Sequence, residues 1–222
     1  MDMITAMKER HSVRSYKNEP IADELLAVLQ DEIDDCNKEG NLHIQLITNE
    51  PKAFDSFMAH YGKFSGVTNY IALIGKKSPD LEEKCGYYGE RLVLKAQSLG
   101  LNSCWVAMTY KKIPGTFTLD AGEKLTVVIA IGYGKTTGVA HKSKAISAVS
   151  NVTANSPEWF KNGVEAALLA PTAMNQQKFT LTLNQNEVTA KAGMGFYAKT
   201  DLGIVKYHFE IGANSSEWHW SK

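Results

Sequence analysis

The sequence predicts an α+β fold, a three-layer α/β/α sandwich with a central, mainly antiparallel sheet. Three observations support this class. Amphipathic helical patterns alternate along the chain with short apolar runs of strand length. Two such runs, residues 179–183 and 188–192, flank the polar turn 184–187, which is typical of an antiparallel hairpin. The 222 residues, 44% of them hydrophobic, suffice for one large domain or two small ones.

The first two thirds of the chain contain four predicted helices and three predicted strands. Leu25, Leu29 and Ile33 recur at helical spacing, and Leu92 and Val93 mark the inward face of a later helix before a terminating glycine. In chain order the predicted elements are the short helix 3–9, the helix 21–36, the turn 38–41, the strand 42–48, the helix 53–61, the strand 69–75, the helix 86–99 and the strand 125–132. Polar connections fill 111–123 and 134–143.

The last third begins with a Ser-, Asn- and Thr-rich crossing at 147–156. Ser156, Pro157 and Glu158 then predict an N-cap, a first-turn proline and a first-turn acid, for a helix that runs to about 169. After the hairpin, Asp201 is predicted to cap a final helix. The core side of that helix is predicted to carry Leu202, Val205, Phe209 and Ile211.

A weak internal echo suggests a domain organisation. The pattern of helix, polar turn and strand at 21–48 recurs at 157–183. We therefore predict a single domain over residues 1–222, made of two divergent pseudo-repeats at about 1–150 and 151–222.

Composition argues against several classes of protein. Twenty-four basic and 24 acidic residues give a formal net charge of zero, which argues against a nucleic-acid binder and a polybasic membrane-surface protein. Cys36, Cys85 and Cys104 form no CxxC pair, and the histidines show no metal-ligand spacing, so we predict reduced thiols and no metal. No signal peptide or membrane-spanning apolar run is evident, so we expect a cytoplasmic protein.

The segment RHSVRSY at residues 10–16 is a candidate anion site. Arg10, Ser12 and Arg14 alternate, so in an extended backbone their side chains share one face. Two guanidinium groups and a hydroxyl could then converge on one phosphate. The alternative is a solvated basic turn after a short helix.

A second candidate segment, LAPTAMNQQ at residues 169–177, follows a predicted helix. Its small residues allow a planar ligand to approach the backbone closely, and its Asn and Gln amides suit the edge of a heterocycle. Taken alone, the segment also fits an ordinary helix end followed by a polar loop.

Together the two segments resemble the FMN-dependent nitroreductase family. That family opens with an R-R/H-S-x-R-x-F/Y motif and carries a P-S-x-x-N-x-Q-P-W-like loop after a helix. LGLNSCW at 99–105 is similar to its "LGLGS" segment, and IGYG at 131–134 is similar to its "IGYP" strand end. The resemblance covers most of the chain and implies a nitroreductase-like fold.

One departure from the family pattern concerns the position of the second loop. The place after the first long helix, where the family has this loop, holds CNKEGNLHIQ, and the loop occurs in the second half instead. Ordinary members are homodimers whose sites take residues from both subunits. The chain therefore resembles a single-chain, pseudo-dimeric branch that holds one flavin. A monomer would suffice for that site, although an oligomer is possible.

The resemblance implies a role for each candidate site residue, and FMN as the cofactor. The residues implied for the FMN phosphate and ribityl chain are Arg10, Ser12, Lys142 and Lys144, with His11 contributing through its backbone. Lys63 lies about where the family places a second basic residue that binds the cofactor. Arg14 is implied near the pyrimidine edge, where a cation favours the reduced flavin. The flavin ring is implied to lie against Trp105, Val106, Pro171, Thr172, Ala173 and Asn175.

The implied reaction is hydride transfer from NAD(P)H through FMN to a small aromatic electron acceptor, such as a nitroaromatic or a quinone. One site used twice implies ping-pong kinetics. No catalytic acid or base is required of the protein, because the cofactor carries the chemistry. Two alternatives stay open: a divergent flavin enzyme that performs reductive dehalogenation or flavin fragmentation, and a flavin-binding protein without turnover. Trp218 and Trp220 are either a hydrophobic plug or a wall of the substrate pocket.

Overall fold

The computed structural model describes residues 1–221. Its helices are α1 (Met3–Glu9), α2 (Asp23–Gly40), α3 (Phe57–Tyr61), α4 (Leu81–Ser98), α5 (Glu158–Ala167) and α6 (Ala198–Ala213). Its strands are β1 (Gln45–Ile47), β2 (Asn69–Lys76), β3 (Asn102–Val106), β4 (Glu123–Gly132), β5 (Phe179–Asn184), β6 (Glu187–Ala192) and β7 (His219–Trp220). The predicted mixture of helices and antiparallel sheets is confirmed.

The larger sheet has the strand order β1-β2-β4-β3, and every neighbouring pair is antiparallel. Strand β2 is buried from Asn69 to Gly75, because both faces of the sheet are covered. Ile71, Leu73 and Ile129 face α2 and α4 on one side. The other side packs on an aromatic cluster that includes Phe54 and Phe64.

Helices α4 and α6 cross at very close range. A methyl group at Gly203 of α6 would overlap the backbone oxygen of Glu83, and one at Gly86 of α4 would overlap that of Thr200. Only glycine permits such backbone proximity at both positions. This crossing joins the first part of the chain to the last.

A smaller sheet of order β5-β6-β7 covers α5 and α6. The predicted hairpin is present, with β5 and β6 antiparallel around a two-residue turn at Gln185 and Asn186, and β7 adds to β6 in parallel. Trp218 and Trp220 pack against Phe209 of α6, and Trp218 also stacks on Trp159. The tail therefore acts as a hydrophobic plug on this core. Helices α4 and α6 thus lie between two sheets, an arrangement that the expectation of one central sheet did not include.

Several predicted boundaries differ from the observed ones. Helix α2 continues through the predicted turn to Gly40, because Asn41 takes the left-handed cap conformation at φ 50°. The predicted helix 53–61 begins only at Phe57, since the Glu50 carboxylate accepts hydrogen bonds from Lys52 and Ala53 in a preceding turn. Strand β1 is shorter than predicted, α4 begins at 81 rather than 86, and β3 was not predicted.

The predicted caps of α5 and α6 were wrong. The Ser156 hydroxyl accepts from the Thr153 amide, and Pro157 occupies the N-cap position of α5. Helix α6 begins at Ala198, so Asp201 lies inside its first turn, and its carboxylate points to a neighbouring loop. Between residues 1 and 221, no helix has both the length and the apolar character needed to cross a bilayer.

Candidate functional site

The segment after α1 presents alternate side chains to a cavity. Val13 is buried, and its amide donates to the Ser103 carbonyl of β3 at 3.0 Å, which fixes the extended backbone. The residues on the other side of the segment, Arg10, Ser12 and Arg14, all line the same cavity. The backbone geometry that alternation requires is therefore present.

A strained loop forms the opposite wall. Met174, Asn175 and Gln177 have φ values of 51°, 53° and 44°, a left-handed conformation that non-glycine residues seldom adopt. Such strain persists only where surrounding contacts hold it, and it is common at functional sites. Here the Asn175 and Gln177 side-chain amides both donate to the Lys142 carbonyl, at 2.9 and 2.7 Å. The backbone amide of Gln177 donates to the Thr172 hydroxyl at 3.0 Å.

The cavity between these walls has two adjoining lobes that share Ser12, Arg14, Pro171, Thr172 and Met174. The basic lobe, of about 570 Å³, is completed by Arg10, Ser15, Lys63, Thr136, Gly138, Val139, His141 and Asn175. The apolar lobe, of about 140 Å³, is completed by Trp105, Val106, Ala107, Val127, Ala173, Tyr197, Thr200, Asp201 and Ile204. The site therefore places cationic donors beside an apolar slot.

Arg10 is the most deeply placed cation of the basic lobe. Its side chain is only 3% exposed. Its Nε and Nη1 atoms have no hydrogen-bond partner among the described residues, and the nearest carboxylate oxygen, Glu90 Oε1, lies 3.8 Å from Nε. Buried guanidinium donors are costly to leave unpaired. The arrangement can accept an anionic ligand.

Asp201 supports the loop from the side of the apolar lobe. Its Oδ1 accepts from the Ala173 amide at 2.9 Å, and its Oδ2 accepts from Gln176 Nε2 at 2.8 Å. Burial raises the pKa of the Asp201 carboxyl to about 6, against the lowering effect of these two hydrogen bonds. The carboxylate links the start of α6 to the loop that forms the ligand wall.

The structure brings together most of the residues singled out in the sequence. Arg10, Ser12, Arg14, Lys63, Trp105, Val106, Pro171, Thr172, Ala173 and Asn175 all line one of the two lobes. Lys63 does so from a turn where its own φ is 63°.

His11, Lys142 and Lys144 lie outside the walls of both lobes. His11 packs against the turn at Gly138, and burial, followed by the charge of Arg10, lowers its pKa. Lys142 contributes its carbonyl to the loop. The Lys144 ammonium donates to the Gln177 carbonyl at 2.9 Å. The Lys142 backbone and the Lys144 side chain therefore support the strained loop, and the phosphate contacts expected for the two lysines stay a prediction.

Sequence reasoning did not identify Asp201, which lines the apolar lobe, or Glu90, whose Oε1 lies 3.8 Å from Arg10 Nε. Glu90 is fully buried on α4, on the face that carries Gly86 and Val93. A charged residue on the apolar face of a predicted helix was the available signal. Asp201 was interpreted as a cap because the start of α6 was placed too late.

Two other features of the surface lack this combination. A groove of about 910 Å³ between α1, α5 and α6 carries one lysine, Lys8, and three glutamates, Glu158, Glu165 and Glu217. His43, Asp120 and Glu123 place possible metal-ligand atoms within 4.8 Å of one another, which their sequence spacing did not indicate. His43 Nδ1 and Glu123 Oε2 are already hydrogen-bonded at 2.8 Å.

Comparisons with known proteins identify related folds. A model of the family described as "Putative TM nitroreductase" matches residues 2–213. A solved structure described as a putative nitroreductase from Thermotoga maritima is 22% identical, with a TM-score of 0.68 over 96% of this chain and 83% of that one. No curated protein matches the sequence.

Two shorter solved proteins match about two thirds of the chain. A putative nitroreductase in complex with FMN from Desulfovibrio desulfuricans is 16% identical, with a TM-score of 0.54 over 67% of this chain and 95% of that one. A putative NADH oxidase from Clostridium acetobutylicum is 17% identical, with a TM-score of 0.52 over 68% of this chain and 99% of that one. These likenesses show a shared fold.

Proposed function

The chain belongs to the nitroreductase family that matches residues 2–213, and we propose that it is an FMN-dependent oxidoreductase. In this proposal it takes a hydride from NAD(P)H and reduces nitroaromatic, quinone or similar acceptors by ping-pong turnover. The observation that carries the proposal is the two-lobed cavity, in which buried Arg10, with Nε and Nη1 lacking a hydrogen-bond partner in residues 1–221, lies beside an apolar slot. The FMN complex and the NADH oxidase name among its structural relatives support the same assignment.

The basic lobe fits the phosphate of FMN. Arg10 lines this lobe, Nε and Nη1 of its guanidinium have no partner in residues 1–221, and a phosphate would supply a charged acceptor for the group. Ser12 adds a hydroxyl, and Lys63 adds a second cation to the same lobe. In the proposed complex, Arg10 fixes the phosphate end of the cofactor.

The apolar lobe fits an aromatic ring system. Trp105, Val106, Pro171 and Ala173 form apolar walls, while Arg14 lies at the junction of the lobes. When bound, FMN supplies the two-electron redox chemistry. The chain's own contribution is to bind the cofactor, to orient its ring and to hold a cation near the ring edge, where negative charge develops.

Both parts of the chain contribute to this one cavity. Arg10, Ser12 and Arg14 come from the first part, and Pro171 and Asn175 come from the second. We propose that a single polypeptide therefore completes one flavin site, as a pseudo-dimeric arrangement would require. The shorter relatives match only about two thirds of this chain, so about one third of it has no counterpart in them and could supply the second wall of the site.

Steady-state kinetics test the proposed activity. Initial rates with FMN-loaded protein, NADH or NADPH, and a nitroaromatic or a quinone should give parallel double-reciprocal lines. Arg10→Met should lose most of this rate at low FMN, whereas the exposed Lys17→Met should keep it. Absence of turnover with every donor and acceptor pair, in protein that retains FMN, would favour a flavin-binding protein over an oxidoreductase.

A further inference from the structure

A fully buried carboxylate links the two lobes of the proposed flavin site. Glu90 of α4 is 0% exposed. Its Oε2 accepts from the Trp105 indole Nε1 at 2.9 Å, and its Oε1 lies 2.9 Å from His208 Nε2 and 3.8 Å from Arg10 Nε. Arg10 of the basic lobe and Trp105 of the apolar lobe therefore both face the Glu90 side chain. Glu90 itself lines neither lobe.

The hydrogen bonds determine how many protons His208 and Glu90 hold between them. His208 is also 0% exposed, and its Nδ1 lies 3.1 Å from the Ala166 carbonyl of α5. A carbonyl only accepts, so Nδ1 carries a proton. The 2.9 Å contact between Nε2 and Glu90 Oε1 then contains one proton, on either atom. In both cases the His208–Glu90 pair has zero net charge.

Because the His208–Glu90 pair is neutral, it leaves the positive charge of Arg10 available to a ligand. If Glu90 were an unpaired carboxylate, it would attract the guanidinium and cancel its charge at 3.8 Å. With a proton shared with His208, the pair is neutral and Arg10 is the uncompensated cation. Consistent with this, the Arg10 Nε and Nη1 atoms have no hydrogen-bond acceptor in the described part of the chain.

We propose that His208 is a positioning residue for the proposed flavin site: it neutralises Glu90 across the α4–α6 crossing, so that Arg10 keeps its full charge for the ligand phosphate. The inference rests on the proposed function. It assigns a binding role to a histidine that touches neither lobe and lies 118 residues from Glu90 in the sequence. Through Glu90, the same histidine also supports the acceptor of the Trp105 indole.

The affinity ratio between FMN and riboflavin isolates the phosphate contribution, because riboflavin lacks that group. In His208→Phe, Glu90 is left with Arg10 as its neighbour and becomes a carboxylate paired with the guanidinium. The preference for FMN over riboflavin should then fall about tenfold or more, as expected for loss of one nearby unit of positive charge. A role in packing alone would weaken both ligands equally and leave the ratio unchanged.

Two further variants make the charge argument specific. Glu90→Gln preserves acceptance from Trp105 and can donate to a neutral His208, so the net charge of the cluster stays the same. Its ratio should match that of the unsubstituted protein within about threefold. The double variant His208→Phe, Glu90→Gln has no carboxylate to neutralise Arg10. It should therefore recover the preference for FMN that His208→Phe loses.

The experiment is a titration of each full-length variant with FMN and with riboflavin, followed by the quenching of flavin fluorescence. The exposed His219→Phe is the matched control, and circular dichroism checks that each variant folds. If His208→Phe does not fold, His208→Gln replaces it, because its amide can donate to Glu90 but cannot neutralise the carboxylate, so the ratio should fall in the same way. An unchanged ratio in His208→Phe, or a double variant that stays as low as His208→Phe, would overturn the proposal. Failure of the unsubstituted protein to bind either flavin would instead overturn the proposed function.

Discussion

Replacement of Arg10 with methionine should stabilise the flavin-free protein while it weakens FMN binding. Arg10 is 3% exposed, and Nε and Nη1 lack partners among residues 1–221. A buried unsatisfied donor costs about 1–3 kcal/mol, and methionine keeps an apolar stem of adaptable shape. Because the His208–Glu90 pair is neutral in the proposed charge assignment, removal of Arg10 leaves no isolated buried charge. We therefore expect a gain of about 1–3 kcal/mol in the free energy of unfolding.

The same substitution removes the guanidinium proposed to bind the phosphate. Hydrogen bonds to charged groups contribute about 1.5–3 kcal/mol each, so the Kd for FMN should rise by about a hundredfold or more. The Kd for riboflavin should change by less than about threefold. Together these values define a variant that is more stable and binds the phosphate-bearing ligand less tightly.

Calorimetry of the flavin-free protein and fluorescence titration with both flavins measure the two effects. For a chain of this length, about 2–4 °C in Tm is expected per kcal/mol. Lys17→Met, at an exposed position of the same segment, is the control and should change neither quantity. A loss of stability in Arg10→Met, or an FMN affinity within threefold of the original, would refute the reasoning.

Three other substitutions test separate parts of the account. Gly203→Ala would stabilise an isolated helix by about 1 kcal/mol, but here the added methyl overlaps the Glu83 carbonyl. Urea unfolding should therefore show a loss of about 2 kcal/mol in the free energy of unfolding. A gain in that free energy would contradict the close helix crossing. The pKa of Asp201 is raised from 3.8 to about 6, so the folded protein holds a proton that the unfolded chain has lost. The contribution of Asp201 to stability should therefore fall as pH rises from about 4 to 6, and it should stay constant above about pH 6. The difference in unfolding free energy between Asp201→Asn and the original protein should change by up to about 3 kcal/mol across that pH range. A constant difference would show that Asp201 is not buried as described. Lys144→Met removes the ammonium bond to the Gln177 carbonyl and should lower stability by less than about 1 kcal/mol, with the ratio of FMN to riboflavin affinity unchanged. A large fall in that ratio would restore Lys144 as a direct phosphate ligand.

The parts of the fold that depend on local sequence were predictable. The hairpin of β5 and β6 follows from two apolar runs around a short polar turn, and the long helices follow from their periodic apolar faces. Strand β3 was missed because its five residues, NSCWV, show no alternating pattern. The start of α3 was misplaced because the Glu50 carboxylate stabilises a turn that propensity alone does not reveal.

The candidate site was likewise predictable where it depends on local sequence, but not where it depends on how helices pack. Alternation at Arg10, Ser12 and Arg14 fixed one wall, and the small and amide residues around Pro171 indicated the other. The roles of Glu90 and His208 depend on how α4 packs against α6, and no pattern within either helix reports that crossing. Neither Lys142 nor Lys144 lines the cavity, because the Lys142 carbonyl and the Lys144 backbone amide are hydrogen-bonded to Asn175 and Gln177 of the strained loop.

The central claim is that one chain binds FMN in this cavity and exchanges electrons with NAD(P)H. The most direct test incubates the purified protein with FMN, removes unbound flavin by desalting, and records the absorbance before and after anaerobic addition of NADH or NADPH. We predict a retained flavin band at about 450 nm that bleaches with one of the two nucleotides. Protein that emerges without flavin, or a retained band that neither nucleotide bleaches, would contradict the claim.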